Sequence, residues 1–407
     1  METGDGLLVR LLPVGTIPLG ALTALCDAAG RYGNGIVEIT SRGSIQFRGL
    51  SAASAPRFAD AIAALDIAAS DGIPVLTGAL AGIDAEELVD SASLTDSMRA
   101  ILAESSLALA PKVSVIVDGN GALTLDDVTA DVRLLAQRFD GNTVFHIAAG
   151  GDAVHATPVG LVTQRDAITA VIRVLTVVAQ HGRYARARDI VAAKGAAPFR
   201  DAVADLLVAD APPRERAKSR DAMGMHRLRN GSLARGIGIA FGHTDAHALA
   251  RLADVAAGFG ADGMRAAPGR TLIAVGLTED AAASLGHAAA TLGFVVDGDD
   301  PRRHVFACAG APICASARLA AREIAPRTAA VAAPYLGASF QVHISGCAKG
   351  CAHAAPTALT IVGTADGCGL VANGTSRDAP FETVAARELY DAIARVVATK
   401  RREMSHV

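Results

Sequence analysis

The 407-residue chain contains no tryptophan, and aromatic residues make up only 4% of it. Alanine and glycine dominate instead, which reflects genome composition and says nothing of function. Charge of one sign is scarce as well. The formal net charge is −3 with no long run of either sign, which excludes nucleic-acid binding driven by bulk charge. No apolar stretch reaches the roughly 18 uncharged residues of a membrane span. The best of them, "AITAVIRVLTVVAQ" (167–180), carries Arg173 and is too short. No G-x-G-x-x-G stands between a strand and a helix, and "ARGIGIAFG" (234–242) spaces its glycines wrongly, so no dinucleotide site is written into the chain.

The stretch "LLPVGTIPLGALTALC" (11–26) has the look of a lipoprotein leader, but Leu25 stands where processing needs a small residue. Pro13, Gly15 and Pro18 interrupt the apolar run, and a basic leading region is missing. A cytoplasmic protein is expected. In that compartment the six cysteines are ligands or buried thiols more often than disulfides.

An internal repeat is present. At a shift of 227 residues, Gly15, Leu22, Leu25, Asp27, Ala29 and Gly33 fall on Gly242, Leu249, Leu252, Asp254, Ala256 and Gly260. Tyr32 falls on Phe259, and Gly49 and Leu50 on Gly276 and Leu277. "KVSVIVDG" (112–119) falls on "SFQVHISG" (339–346), both strand-like runs ending at a glycine. A period this long marks a duplicated half, not a solenoid unit. Each copy begins in the order β-α-β-β-α: strands near 7–13, 35–40 and 44–49 with helices near 18–31 and 54–65, then 234–241, 262–267 and 271–276 with helices near 245–258 and 279–291. That order is ferredoxin-like. The expected fold is α+β, with two ferredoxin-like halves (1–70 and 231–299) and two larger α/β segments (71–210 and 300–407) related by a pseudo-twofold. The Pro- and Arg-rich stretch 211–230 is expected to be a solvated linker.

Four cysteines break the symmetry. Cys308 and Cys314 lie in "CAGAPIC", Cys347 and Cys351 in "CAKGC", and the repeat sets Ala81, Glu87, Asn120 and Thr124 against them. Packing alone would not demand the difference, since two copies share one kind of core. Four thiolates from two loops can wrap an iron–sulfur cluster. Gly346, Ala348, Gly350 and Ala352 would let backbone close around it and aim N–H groups at its sulfides. A four-cysteine zinc site and four unliganded thiols stand beside that reading, although zinc pairs are usually spaced by about two to four residues. Cys26, on the apolar face of a helix, and Cys368, in "ADGCGL", are expected to have no ligand role.

The C-x5-C and C-x3-C pair resembles the sirohaem sulfite and nitrite reductase superfamily. So do "GIVEITSRGSIQFRGL" (35–50), with its T-x-R and Q-x-x-G strand-turn-strand, "VLTGALAGIDAEE" (75–87) and "APKVSVIVDG" (110–119). The resemblance implies a duplicated nitrite/sulfite reductase-like fold and a [4Fe–4S] cluster on Cys308, Cys314, Cys347 and Cys351. Within the superfamily, "SGCAKGCAH" (345–353) and the short length look most like the branch serving aerobic cobalamin biosynthesis. That likeness implies a monooxygenase taking precorrin-3A and dioxygen. The meso carbon between rings A and D is hydroxylated and a ring A acetate closes a lactone. It also implies a mononuclear non-haem iron and an external NADH-linked electron donor.

The chain departs from the reductases at their cationic cage. Of four basic side chains expected around the anion, Arg42 and Lys112 match, while the places near Ile73 and at Ser114 are neutral. Six-electron anion reduction depends on preorganised positive charge, so a sirohaem-bearing sulfite or nitrite reductase is the second reading. A non-catalytic iron–sulfur or zinc protein is the third. Guanidinium and ammonium groups suited to a tetrapyrrole's carboxylates are Arg42, Arg48, Lys112, Arg270 and Lys349, with Arg265 added by symmetry. Arg48 shares a strand face with Gln46 and Ser44. Lys112 precedes a buried strand, where a cation needs a partner. His343 and His353 flank the second cysteine pair and are candidates for the iron. No 2-His-1-carboxylate triad is written locally, and no catalytic residue is assigned.

Overall fold

A computed structural model of the chain describes residues 2–65, 67–70, 72–211 and 220–404. The first half runs β1 (Glu2–Thr3), β2 (Gly6–Leu11), α1 (Leu19–Tyr32), β3 (Ile36–Ile39), β4 (Ile45–Leu50) and α2 (Ser54–Ala63). Strand alternation sorts the side chains. Val37, Ile39, Ile45 and Phe47 enter the core with Leu22, Leu25 and Cys26 of α1. Glu38, Gln46 and Arg48 take the opposite face. Gly49, at φ +73°, lets the strand slip so that Leu50 turns back into the core.

The second segment holds β5 (Val75–Thr77), α3 (Ser91–Glu104), β6 (Val115–Asp118), β7 (Ala130–Phe139), β8 (Asn142–Gly151), β9 (Thr157–Thr163), α4 (Ala167–Gln180), α5 (Ala187–Lys194), α6 (Ala197–Val203) and β10 (Leu207–Ala209). Its six-stranded sheet is ordered β10-β9-β8-β7-β6-β5. The long apolar run is α4, which lies in a core with Val171, Val174 and Val178 buried. Its Arg173 reaches the edge to pair with Asp205. Among the described residues no helix is long and apolar enough to cross a membrane.

The second copy runs β11 (Met225–Arg227), β12 (Leu233–Gly238), β13 (His243–Asp245), α7 (Ala246–Gly258), β14 (Gly263–Ala267), β15 (Thr271–Leu277) and α8 (Glu279–Thr291). It continues into β16 (Val305–Ala307), α9 (Ala321–Ala332), β17 (Val342–Ser345), β18 (Thr357–Gly363), β19 (Cys368–Gly374), β20 (Glu382–Val384) and α10 (Leu389–Met404). In the last sheet, ordered β16-β17-β18-β19-β20, the first three strands are parallel, as β5, β6 and β7 are in the other copy.

The 227-residue shift carries β6 onto β17 residue for residue. It also relates contacts between the halves. Thr244 of β13 pairs with Val37 of β3, and Ile17 bridges Met264 of β14 in the same antiparallel sense. Each half therefore lends its strand-to-helix segment to the other's sheet, and α1 packs against α7 at the centre. The two β-turns meet there as well, where Arg42 bridges Pro268 and Gly269 donates to the Ser41 carbonyl.

Residues 212–219 of the expected linker lie outside the described residues. The rest of that stretch differs from expectation. Met225–Arg227 forms an edge strand on β12, while Met223, His226 and Leu228 are buried. The apolar positions among the arginines give this segment a core face.

Candidate active site

β16 and β17 are adjacent and parallel, with Ala307 opposite Ile344. Cys308 follows the first strand and Cys347 the second, so both emerge at the carboxyl end of the sheet, the usual place for a ligand crevice. The two cysteine loops are tied together. Gly346 donates its N–H to the Cys308 sulfur at 3.1 Å, Arg318 N–H donates to the Gly346 carbonyl, and Lys349 Nζ donates to Ser316 Oγ at 3.1 Å. Gly346 lies so close to Ala317 that an added Cβ would stand 2.6 Å from its methyl group. Gly350 sits at φ +66° between the last two cysteines, a conformation that favours glycine.

The four thiols influence one another. Burial pushes the Cys308 thiol up to about 11 despite the N–H groups of Gly346 and Gly310, with Cys351 and Cys314 adding to the rise. Cys351 is raised by burial too, with Arg48 pulling the other way and Cys347 and Cys314 adding. Among the described residues no three His, Cys, Asp or Glu side chains close on a single ion. Small residues, N–H groups aimed at sulfur and four thiols on two joined loops fit a cluster larger than one ion. The same finding leaves a mononuclear iron without a ligand set. The corresponding loop of the first copy is closed by protein. Glu87, which stands where Cys314 does, accepts from the N–H groups of Gly82 (2.9 Å) and Ser91 (3.3 Å).

Above the cysteines lies the polar face of the first half's sheet. Arg10, Gln46, Glu38 and His243 are register partners across β2, β4, β3 and β13. Arg48 stands on this face and is buried in an ion pair with Asp5, helped by Glu38 at 3.2 Å. Burial opposes its charge, but the two carboxylates hold it protonated beyond the ordinary guanidinium range. Burial raises the Glu38 carboxyl, with Arg48 and Arg270 pulling it down. Arg270, at φ +63°, lies 4.1 Å above the Phe306 ring and donates to the Ala352 carbonyl. Burial brings it down to about 10, and no carboxylate pairs with it among the described residues. His353 stacks on the same Phe306 ring at 4.6 Å, and His343 lies edge-on to His353 at 6.0 Å.

The expected residues are thus sorted by environment. Arg48 and Arg270 approach the cysteine loops. Arg48 is engaged with acids, whereas Arg270 forms no ion pair among the described residues and feels Glu38 only at longer range. Arg42 is exposed and donates to Thr129 Oγ1 at 3.2 Å. Lys349 is exposed and bonded to Ser316. Lys112 corrects an expectation: the strand beyond it is buried, but Lys112 itself is exposed on the preceding turn and needs no partner. Arg265 is occupied by Thr16 Oγ1 and the carbonyls of Ala79 and Ala81. His343 is wholly buried with both ring nitrogens unbonded, and burial brings it down to about 4, so it is neutral. Asp5, Glu38 and His243 were not legible in advance. Only the strand alternation placing Glu38 beside Gln46 and Arg48 hinted at them.

A fold of two interlocked ferredoxin-like halves with cysteine loops on one copy defines a nitrite/sulfite reductase-like protein. Residues 1–65 match the nitrite/sulfite reductase ferredoxin-like half domain. The solved structure of Mycobacterium tuberculosis NirA protein superposes with a TM-score of 0.74 over 96% of this chain and 80% of that one, at 20% identity. Ferredoxin–nitrite reductase of Synechococcus elongatus is 26% identical over 152 residues, 34% of this chain and 30% of that protein. Precorrin-3B synthase of Sinorhizobium sp is 38% identical over 399 residues, covering 97% of this chain and 86% of the relative. The chain belongs to the precorrin-3B synthase family and is an enzyme of that kind.

Proposed function

We propose that the protein hydroxylates precorrin-3A with dioxygen and closes the ring A acetate as a lactone, giving precorrin-3B in aerobic cobalamin biosynthesis. One observation carries the reading: the four-cysteine loops stand against an arginine-bearing sheet face in a chain of this family. Cys308, Cys314, Cys347 and Cys351 would hold a [4Fe–4S] cluster, which supplies one-electron transfer when bound. One oxygen atom enters the product. The other leaves as water, using two electrons from an external NADH-linked donor and two protons. The reaction is cytoplasmic in this reading.

The chain's own residues bind and orient. Arg270 offers a desolvated guanidinium to a substrate carboxylate, with its plane fixed by Phe306 and the Ala352 carbonyl. Arg42 and Lys349 present exposed cations at the turn and at the cysteine loop. Arg48 shapes the floor through Asp5 and Glu38. No step is derived through a mononuclear iron, because the described residues give it no ligand set.

The test is turnover of precorrin-3A by protein purified without air. Product must form only with dioxygen, and one atom of isotopically labelled dioxygen must appear in it. Iron and acid-labile sulfide must be present. A strong porphyrinoid absorption from tightly held sirohaem, or anaerobic turnover, overturns the proposal.

A further inference from the structure

Beside the Cys308–Cys314 loop lies a cavity of about 410 Å³ that the site described above does not use. Pro312 and Ile313 form one wall, and Arg322 and Glu323 of α9 another. His243 and Thr244 of β13 close it from the second half. The cavity adjoins the polar sheet face at His243, which is the register partner of Glu38, and directly opposite residues in an antiparallel pair share a face.

Its polar groups are unspent. Arg322 is half-buried, and no carboxylate forms an ion pair with it among the described residues. Asp245 and Glu38 act on it only at longer range. His243 Nε2 is buried with no hydrogen-bond partner. A buried ring nitrogen and a desolvated guanidinium without partners are costly unless a ligand completes them. The one opposing charge on the lining, Glu323, is exposed, where water and salt screen it.

We infer that this cavity is a carboxylate subsite, in which Arg322 pairs with one acidic side chain of the tetrapyrrole substrate and His243 contributes a hydrogen bond. The inference rests on the proposed tetrapyrrole reaction. It adds a specificity determinant on α9, just beyond the first cysteine loop in sequence. A planar guanidinium matches a carboxylate through two parallel bonds, which an ammonium cannot reproduce.

The experiment is steady-state kinetics with precorrin-3A on the cluster-loaded enzyme. Arg322→Leu is expected to raise KM by about tenfold to a hundredfold with little change in kcat, as loss of a charge-assisted pair used in binding does. Arg322→Lys should recover part of the loss. Wild-type KM in Arg322→Leu overturns the assignment. If that variant does not accumulate as folded protein, wild-type KM in Arg322→Lys overturns it instead, because an ammonium cannot reproduce the two parallel bonds. Failure of the wild-type enzyme to turn over precorrin-3A is a different result and strikes the proposed function itself.

Discussion

The Asp5 carboxylate grips the buried Arg48 guanidinium through two hydrogen bonds, Nε to Oδ2 at 2.8 Å and Nη2 to Oδ1 at 2.7 Å. This fork joins the first strand segment to the middle of the sheet, on the face turned toward Cys351. Asp5→Ala leaves Arg48 buried with Glu38 as its remaining acid, so it should cost about 1–3 kcal/mol of stability. Chemical denaturation reads it as a lower midpoint at unchanged slope. The pH dependence has a definite sign. Burial would raise the Asp5 carboxyl, but Arg48 holds it below its ordinary value of 3.8. A depressed folded-state pKa gives stability that is complete above the unfolded pKa and is lost as pH falls through the folded one. Wild-type stability should therefore decline below pH 3.8, and less steeply in Asp5→Ala.

The cysteines divide into two classes. Serine at Cys308, Cys314, Cys347 or Cys351 should abolish most acid-labile sulfide and the broad visible absorption of the anoxically purified protein. Serine at Cys26 or Cys368, which are buried in apolar cores, should leave both in place. Iron and sulfide analysis decides the matter, and full sulfide in any of the first four variants removes that residue from the ligand set.

Gly4 crosses directly over the first cysteine loop. Its carbonyl accepts from the Ala315 N–H at 2.8 Å, and an added Cβ would lie 2.5 Å from Cys314 Sγ. Real Cβ atoms do not approach so closely, so the thiol or the strap must move. Gly4→Val should lower the iron content and hasten bleaching of the visible absorption in air. Unchanged bleaching with full iron would mean that the strap yields freely.

Arg270→Met keeps much of the side chain's apolar contact with Phe306 but removes the charge and the bond to Ala352. We expect kcat/KM for precorrin-3A to fall by about tenfold to a hundredfold, the effect of one charge-assisted bond, with iron content retained. Arg270→Lys should recover little, because an ammonium does not stack on the ring as a guanidinium does. An Arg270→Met enzyme with wild-type kcat/KM would exclude this residue from substrate binding.

Much was readable in one dimension. Spacing of apolar residues located α1, α7 and the strands of both ferredoxin-like halves, since helical and strand periods are local properties. The 227-residue repeat placed β6 and β17 inside the matched runs 112–119 and 339–346. The asymmetry of four cysteines against Ala81, Glu87, Asn120 and Thr124 marked the loops that now stand together. Misreadings arose where a side chain's environment is set by chain far away. Lys112 borders a buried strand yet points to water. Met223, His226 and Leu228 lie among arginines yet are packed inside.

The amino-acid order, then, determined which segments form elements, that the molecule is doubled, and which thiols could act as a set. Tertiary structure alone decided that Asp5 spends the charge of Arg48, that Arg270 and Arg322 form no ion pair among the described residues, and that His243 from one half completes the polar row of the other. Periodicity is fixed by neighbours within a few residues, and sequence displays it directly. Pairing of charges depends on strand register and on the docking of the two halves, where segments more than 200 residues apart meet, as Ile17 and Met264 do.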